Sequence, residues 1–429
     1  MAALRSERVS LLGVGLVALA VRVVVVLVTH RSFALINDAA DYNRLAISLA
    51  GGHGFGVSHV APGGGPTALR PPAFPLLLAA VYLVFGSHVV AARLLGALLG
   101  AVSAVLVGIL IAQLTHDRVR SLIGGILAAV FPPMVIASTS VMSEGLFVAL
   151  SLVVVVCALA YRAEGRVRWL ALSGLALGCA TLTRPIGAVL VLPAALIAFT
   201  GPPAPRRWVA ALAATGLAIA PCLAWEIRDV TVMSHVIPLT TQDGYFLAGT
   251  YNATSAHYRP QPGNWIPAND DPATARLIAA HPHAGEVRLN DLLHHAALHY
   301  LGAHPTYFFT VVGNNFLRLF DLTDRAFAQA AVRGEYGYGS FWGAADYFST
   351  LVILALAVLG FARGGLRGWP AGAWLAPLLL LVVTLPTRAN PRFRAPIDPY
   401  LIALASAAFV GWARGGARSL SLRRQPGGS

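Results

Sequence analysis

Lysine is absent from this chain: all 31 basic residues are arginine. A GC-rich genome is enough to explain that, so it carries no functional weight here. Charged residues of every kind are also scarce, at 11% of 429 residues, where soluble domains carry about a quarter. Hydrophobic residues make up 57% and the mean hydropathy is +0.68, so the composition points to lipid as the solvent. Acidic residues number only 18, which leaves a net charge of +13. A basic balance can mark a nucleic-acid binder, but these arginines stand singly or in pairs between apolar runs. That is the spacing of membrane-flanking anchors, and no nucleic-acid partner is expected. Cysteine is almost missing too. Cys157, Cys179 and Cys222 all fall inside apolar runs, which excludes a disulfide framework and leaves no metal-ligand spacing.

What is abundant is apolar sequence in long runs. A span needs about 20 largely apolar residues, and ten runs qualify as candidates. They are 10–29, 88–114, 121–138, 144–161, 169–184, 186–201, 208–226, 346–362, 370–386 and 397–413. The first sits behind Arg5 and Arg8 like a signal peptide, but no small-residue cleavage site follows, so it reads as a retained helix. Residues 72–86 are apolar as well, yet short and opened by prolines. If they lie in the interface, the loops on one side hold Arg118, Arg120, Arg162, Arg166, Arg168, Arg206, Arg207, Arg363 and Arg367, with the tail 414–429 adding more. If they span, those tallies reverse and the positive-inside rule fails repeatedly. The sequence therefore predicts an all-α polytopic membrane protein of about ten spans with both termini cytoplasmic. Residues 72–86 form an interfacial or re-entrant helix. A first outer loop then covers 30–87 and a large outer loop covers 227–345.

The unusual polar residues gather on that outer side. Asp38 and Asp41 are three apart, hence on one face if the loop opens a helix, as Tyr42, Leu45, Ala46 and Leu49 suggest. Paired carboxylates suit a general base beside an orienting partner; the plain alternative is a helix N-terminus capped by Asn37 or Asp38. The glycine-rich stretch from Gly51 to Gly65 lacks the strand–turn–helix setting of a nucleotide loop. Arg70 stands alone where the 72–86 helix enters the interface, fitted equally to a lipid headgroup or a substrate phosphate. Glu144 opens an otherwise apolar helix, and Arg184 in the next outer turn is its natural partner. Arg228 closes another span, and Arg388, Arg392 and Arg394 close the ninth. Each arginine alone can be a snorkelling anchor. Several converging near an interface suit a lipid phosphate, because the guanidinium fork matches phosphate oxygens. Arg22 lies mid-span and must face the bundle or snorkel. His281, His283, His294, His295, His299 and His304 lack a recognised ligand pattern and read as a solvated helix.

These motifs together resemble a known family. Asp38-x-x-x-Tyr42 with the following Gly-His-Gly-Phe-Gly is similar to the first loop of polyprenyl-phosphate-sugar-dependent glycosyltransferases of the C-type superfamily. Arg70-Pro71-Pro72-x-x-Pro75, Ser143-Glu144, Thr183-Arg184-Pro185, Trp225-x-Ile227-Arg228 and Arg392-x-Arg394-x-Pro396-x-x-Pro399 match as well. The likeness is to glycosyltransferase family 39, the protein-mannosyltransferase-like members related to the lipid A aminoarabinose transferase. It runs from about residue 15 to about residue 410.

The resemblance implies a C-type bundle with interfacial helices and an inverting hexosyl- or pentosyltransferase. Its donor would be a polyprenyl-phosphate sugar, and its acceptor an envelope glycan, lipid or protein on the outer face of a bacterial plasma membrane. Asp38 would take the acceptor's proton. Tyr42, Arg70, Glu144, Arg184, Arg228, Arg392 and Arg394 would line the site, with arginines holding the leaving phosphate. Ala39 stands where the family often has glutamate and Asp229 where asparagine is common, so Asp38 and Asp41 stay open to exchange of roles. No metal or other cofactor is called for. A transporter or flippase of lipid-linked sugars, or a non-catalytic envelope-assembly subunit, is the alternative reading. The first predicts mid-bilayer charges and an internal repeat, and no repeat is visible.

Overall fold

The computed structural model describes residues 2–56, 65–201, 206–259 and 261–409, with side chains from Ser10 onward; the expected tail 414–429 lies outside them. Among the described residues the chain is all helix, turn and loop. Helices α1 (Ala2–Val28), α2 (Asn37–Ala50), α3 (Ala73–Phe85) and α4 (Val89–Thr115) come first. They are followed by α5 (Arg118–Val130), α6 (Pro132–Thr139), α7 (Glu144–Glu164), α8 (Val167–Thr183), α9 (Val191–Phe199) and α10 (Arg207–Met233). Six shorter helices fill the long segment that follows: α11 (Asp243–Thr250), α12 (Ala253–His257), α13 (Pro272–Ala280), α14 (Glu286–Ala303), α15 (Tyr307–Leu319) and α16 (Arg325–Tyr336). Then come α17 (Ser340–Ala362), α18 (Ala371–Thr384) and α19 (Asp398–Phe409).

This is a multi-pass membrane protein. Five described helices are long and apolar enough to cross a membrane: the apolar part of α1, α4, α7, α10 and α17. A sixth span exists if α5 and α6, bent by 54°, count as one. The expected runs 169–184, 186–201 and 370–386 form the apolar helices α8, α9 and α18, each of 17 residues or fewer, and the described part of 397–413 forms α19. Proline is the reason at two of these ends, since Pro185 stops α8 and Pro386 follows the end of α18. Helix α3, with 13 residues, is about 20 Å long and falls short of the ~30 Å hydrocarbon layer. It buries Phe74, Leu78 and Tyr82 and exposes Leu76, Leu83, Val84 and Phe85, so one side is left for lipid.

The α5–α6 break explains Arg22. Pro132 and Pro133 have no N–H to offer Ala128 and Ala129, the residues four positions earlier, whose carbonyls are left without helical partners. Arg22, fully buried, donates from Nη1 to Ala129 O at 2.8 Å and from Nη2 to Ala128 O at 3.3 Å. Its Nε reaches Ser138 Oγ at 2.9 Å. The guanidinium faces the bundle and closes the break.

The segment from α11 to α15 has a small core of its own around Ala248, Tyr251, Leu293, Ala297, Tyr307 and Val311. Asn252 is buried there and caps α12 by accepting from Ser255 N. Glu286 ties this unit to the first loop. Its carboxylate accepts from Thr67 Oγ1 at 2.6 Å, Ala68 N at 2.9 Å and Thr241 Oγ1 at 2.5 Å.

Candidate active site

Where α2, α11, α14, α16 and the loop after α18 meet, a cavity of about 850 Å³ opens. Asp38, Arg70, Glu335 and Arg388 bring charge to its wall. Each is delivered by local structure. Asn37 takes a positive φ of 46°, costly for a residue with a Cβ, and its Nδ2 donates to Gly334 O at 2.7 Å. That contact fixes the start of α2 beside the end of α16. The helix N-cap is Ile36 and no side chain caps it, so the capping role expected of Asn37 or Asp38 is not taken up. Asp38 turns to arginine instead.

Arg70 follows a strap held at nearly every residue. Thr67 and Ala68 bind Glu286, Thr240 Oγ1 donates to Leu69 O at 2.7 Å, and Arg228 Nη1 donates to Thr67 O at 3.0 Å. The Arg70 Nη2 then reaches Asp38 Oδ1 at 2.5 Å and Asp41 Oδ2 at 2.9 Å. The spacing of three thus does place both carboxylates on one helical face, where they share one arginine.

Arg392 is the second hub. Its Nη1 pairs with Asp38 Oδ2 at 2.7 Å and with Glu335 Oε2 at 2.7 Å, and its Nε binds Glu144 Oε1. Glu144 Oε1 also receives Arg184 Nη1 at 2.5 Å, the partnership its position implied. Tyr42 lies beneath Arg70 at 5.6 Å and donates to Ser143 Oγ at 3.2 Å. Asp38, Asp41, Tyr42, Arg70, Glu144, Arg184 and Arg392 therefore form one connected cluster. Asp38 and Arg70 reach the cavity wall, whereas Asp41 is fully buried against Arg70 and Arg44.

Arg228 and Arg394 are not brought to that wall. Arg228 is committed to the carbonyls of Thr67 and Phe55 and to Asp229 at 2.6 Å, and it braces the strap from behind. Arg394 is 0% exposed and donates to Asp398, Asp321, Thr350 Oγ1 and Leu319 O. Two residues from Arg392 on the 3-10 turn Pro391–Arg394, it belongs to a separate buried cluster.

Sequence reasoning missed Glu335 altogether and left Arg388 outside the site. Glu335 accepts from Arg388 Nη2, Arg392 and Asn390 Nδ2. A signal was available: a carboxylate in the last turn of α16 opposes the helix dipole and asks for cations nearby. Gly337, which ends that helix at φ +73°, leaves room for the first loop. A Cβ there would sit 2.0 Å from Ala34 O.

Burial alone would push the Asp38 carboxyl up. The guanidiniums of Arg70, Arg392 and Arg388 overcome that and hold it far below the usual carboxylate range, so it is ionised at neutral pH. The charges of Glu144, Asp38 and Glu335 likewise offset burial and keep Arg392 protonated. Among the described residues, Arg44, Arg70, Arg184, Arg388 and Arg392 face Asp38, Asp41, Glu144 and Glu335, an excess of one positive charge. Such a cluster can accept an anion. No group of three or more potential metal ligands occurs among the described residues.

Residues 69–225 match the family model for dolichyl-phosphate-mannose-protein mannosyltransferases. The resemblance read from the motifs holds. The matched stretch includes Arg70, Glu144 and Arg184 and leaves out Asp38, Arg228, Arg392 and Arg394. Among solved structures, the crystal structure of ArnT from Cupriavidus metallidurans bound to undecaprenyl phosphate aligns over 94% of this chain and 79% of that one. The TM-score is 0.42 and the identity 15%. No curated protein sequence gives a significant match.

Proposed function

We propose that this protein is an inverting glycosyltransferase with a C-type bundle, moving a hexose or pentose from a polyprenyl-phosphate donor to an envelope glycan, lipid or protein. The observation that carries the reading is one carboxylate, Asp38, on a cavity wall between Arg70 and Arg392, with Arg388 alongside. The mannosyltransferase-like stretch 69–225 supports it. The arginine tallies of the short loops support an extracytoplasmic site and cytoplasmic termini, and the family resemblance implies a bacterial plasma membrane.

In this mechanism the donor phosphate competes with Asp38 and Glu335 for Arg70, Arg388 and Arg392. Loss of those partners raises the basicity of Asp38 at the moment the donor is seated. The acceptor hydroxyl oxygen attacks the anomeric carbon, and its proton passes to Asp38. The bond from that carbon to the phosphate oxygen breaks, with its electron pair leaving on polyprenyl phosphate. The arginines stabilise that growing charge. Asp41, buried and sharing Arg70, positions the arginine and does not meet the acceptor.

The deciding experiment is transfer from polyprenyl-phosphate sugars to envelope acceptors by the purified protein, with Asp38→Asn and Asp41→Asn beside the wild type. Full turnover by Asp38→Asn would remove the base assignment, and a loss in Asp41→Asn alone would hand it to Asp41. Absence of transfer from every donor would favour a lipid-linked-sugar transporter.

A further inference from the structure

The charged side of the cavity accounts for only part of its wall. Away from Asp38 the wall is made by Gln242, Tyr245, Asn264, Trp265 and Asn269, which carry amides and aromatic rings but no charge. Trp265 is held rigidly. Its indole N–H donates to Tyr245 O at 3.3 Å, and the Arg388 guanidinium stacks 4.0 Å from its ring centre. Gly249 on α11 makes room for it: a Cβ there would lie 2.3 Å from Trp265 Nε1. Gln242 is 9% exposed and lines the cavity, and its Nε2 has no hydrogen-bond partner. The amide belongs to a residue of the cavity wall, where a side-chain rotation would offer its donor and acceptor to a ligand hydroxyl. Burial pushes the Tyr245 hydroxyl up to about 12, so it stays protonated and able to donate.

We infer that this neutral wall is the acceptor subsite and that the acceptor it takes is a carbohydrate, an inference that rests on the transferase reading above. Sugars present an apolar C–H face to a rigid aromatic plane and a rim of hydroxyls to amides, and this wall offers both. One mode of holding an extended peptide, addition to a strand edge, has no strand to use among the described residues. The ~850 Å³ volume lies toward the upper end for small-molecule sites and leaves room for more than one sugar ring. Connection to the chemistry is direct. Trp265 stacks on Arg388, Arg388 pairs with Glu335, and Glu335 shares Arg392 with Asp38.

The test is saturation-transfer NMR on the purified full chain in nanodiscs. The probes are mannotriose, arabinotriose, maltotriose and galactotriose, set against a Ser/Thr-rich octapeptide. Saturable binding of at least one trisaccharide is expected, weakened about tenfold or more in Gln242→Ala and in Trp265→Ala. Melting curves establish that each variant is folded, and Gln242→Ala serves if Trp265→Ala is not. Binding of the peptide alone, binding of no trisaccharide, or trisaccharide binding unaffected by Gln242→Ala overturns the inference. Hydrolysis of polyprenyl-phosphate sugars without acceptor is followed in parallel. Donor turnover with no saccharide binding sinks only the subsite, whereas saccharide binding with no donor turnover sinks the transferase and, with it, the acceptor role of the subsite.

Discussion

Two arginines two residues apart, Arg392 and Arg394, anchor clusters with opposite balances. Around Arg392 five arginines face four carboxylates, and the cluster reaches a cavity through Asp38, Arg70, Glu335 and Arg388. Around Arg394 a single guanidinium serves Asp321 at 2.7 Å and Asp398 at 2.8 Å, with Asp346 on α17 in electrostatic reach; none of these lines the cavity. Oδ1 of Asp321 and Oδ2 of Asp346 have no hydrogen-bond partner, and burial pushes the Asp321 carboxyl up. Net positive charge with access makes a place for an anion. Net negative charge without access makes a lock between the loop after α15, α17 and α19, and one that favours keeping a proton. The type of residue is the same in both; the surroundings decide its use.

The comparison breaks most readily at Asp38. Asp38→Asn keeps the shape and removes the base, so kcat should fall by about 10²–10⁴-fold, with a loss of melting temperature at neutral pH that is smaller than that of Arg394→Met. A large loss of melting temperature with turnover retained would make the first cluster a lock as well. Arg394→Met should do the reverse. Leaving Asp321 and Asp398 buried without their cation costs about 3–5 kcal/mol, seen as a large drop in thermal stability, while the folded fraction turns over normally. Arg388→Gln is expected to weaken donor binding by about 10- to 100-fold, from the loss of one charged hydrogen bond, with a smaller effect on kcat. A donor KM unchanged in that variant would remove Arg388 from the phosphate site.

Smallest is the pH effect. Folded Asp38 titrates below its unfolded value near 3.9, so its contribution to stability is complete above about pH 4 and fades as the pH falls further. Melting temperatures of wild type and Asp38→Asn should therefore converge in acid. Parallel curves from pH 7 down to about pH 3.5 would mean that Asp38 is not held by its arginines.

Much of the site was legible because charge is rare in this chain. Any ionisable residue beside an apolar run had to be paired or functional, and that reasoning found Asp38, Asp41, Arg70, Glu144, Arg184 and Arg392. It even paired Glu144 with Arg184. It overlooked Glu335 because the long segment 227–345 is ordinarily polar, and one carboxylate there does not stand out. It credited Arg228 to the site because a terminal arginine reads alike whether it faces a ligand or a backbone carbonyl. Helix ends were less legible for a related reason. Hydropathy records how apolar a run is, whereas the prolines that shorten α8 and α18 act on the backbone.

By itself the sequence determined the solvent, the helical class and a cluster of arginines and carboxylates at the helix ends. Those follow from composition and from the cost of burying charge, which act on every residue wherever it lies. Only the tertiary structure decided that Arg392 backs the carboxylates of the cavity wall and Arg394 serves the interior. Neighbours on a 3-10 turn point about 120° apart per residue, so two positions in sequence send their side chains into different surroundings. It also decided that Asp38 and not Asp41 stands on the wall. That choice depends on which side of α2 the strap carrying Arg70 crosses, and the strap is set by Glu286, over 200 residues away in the chain.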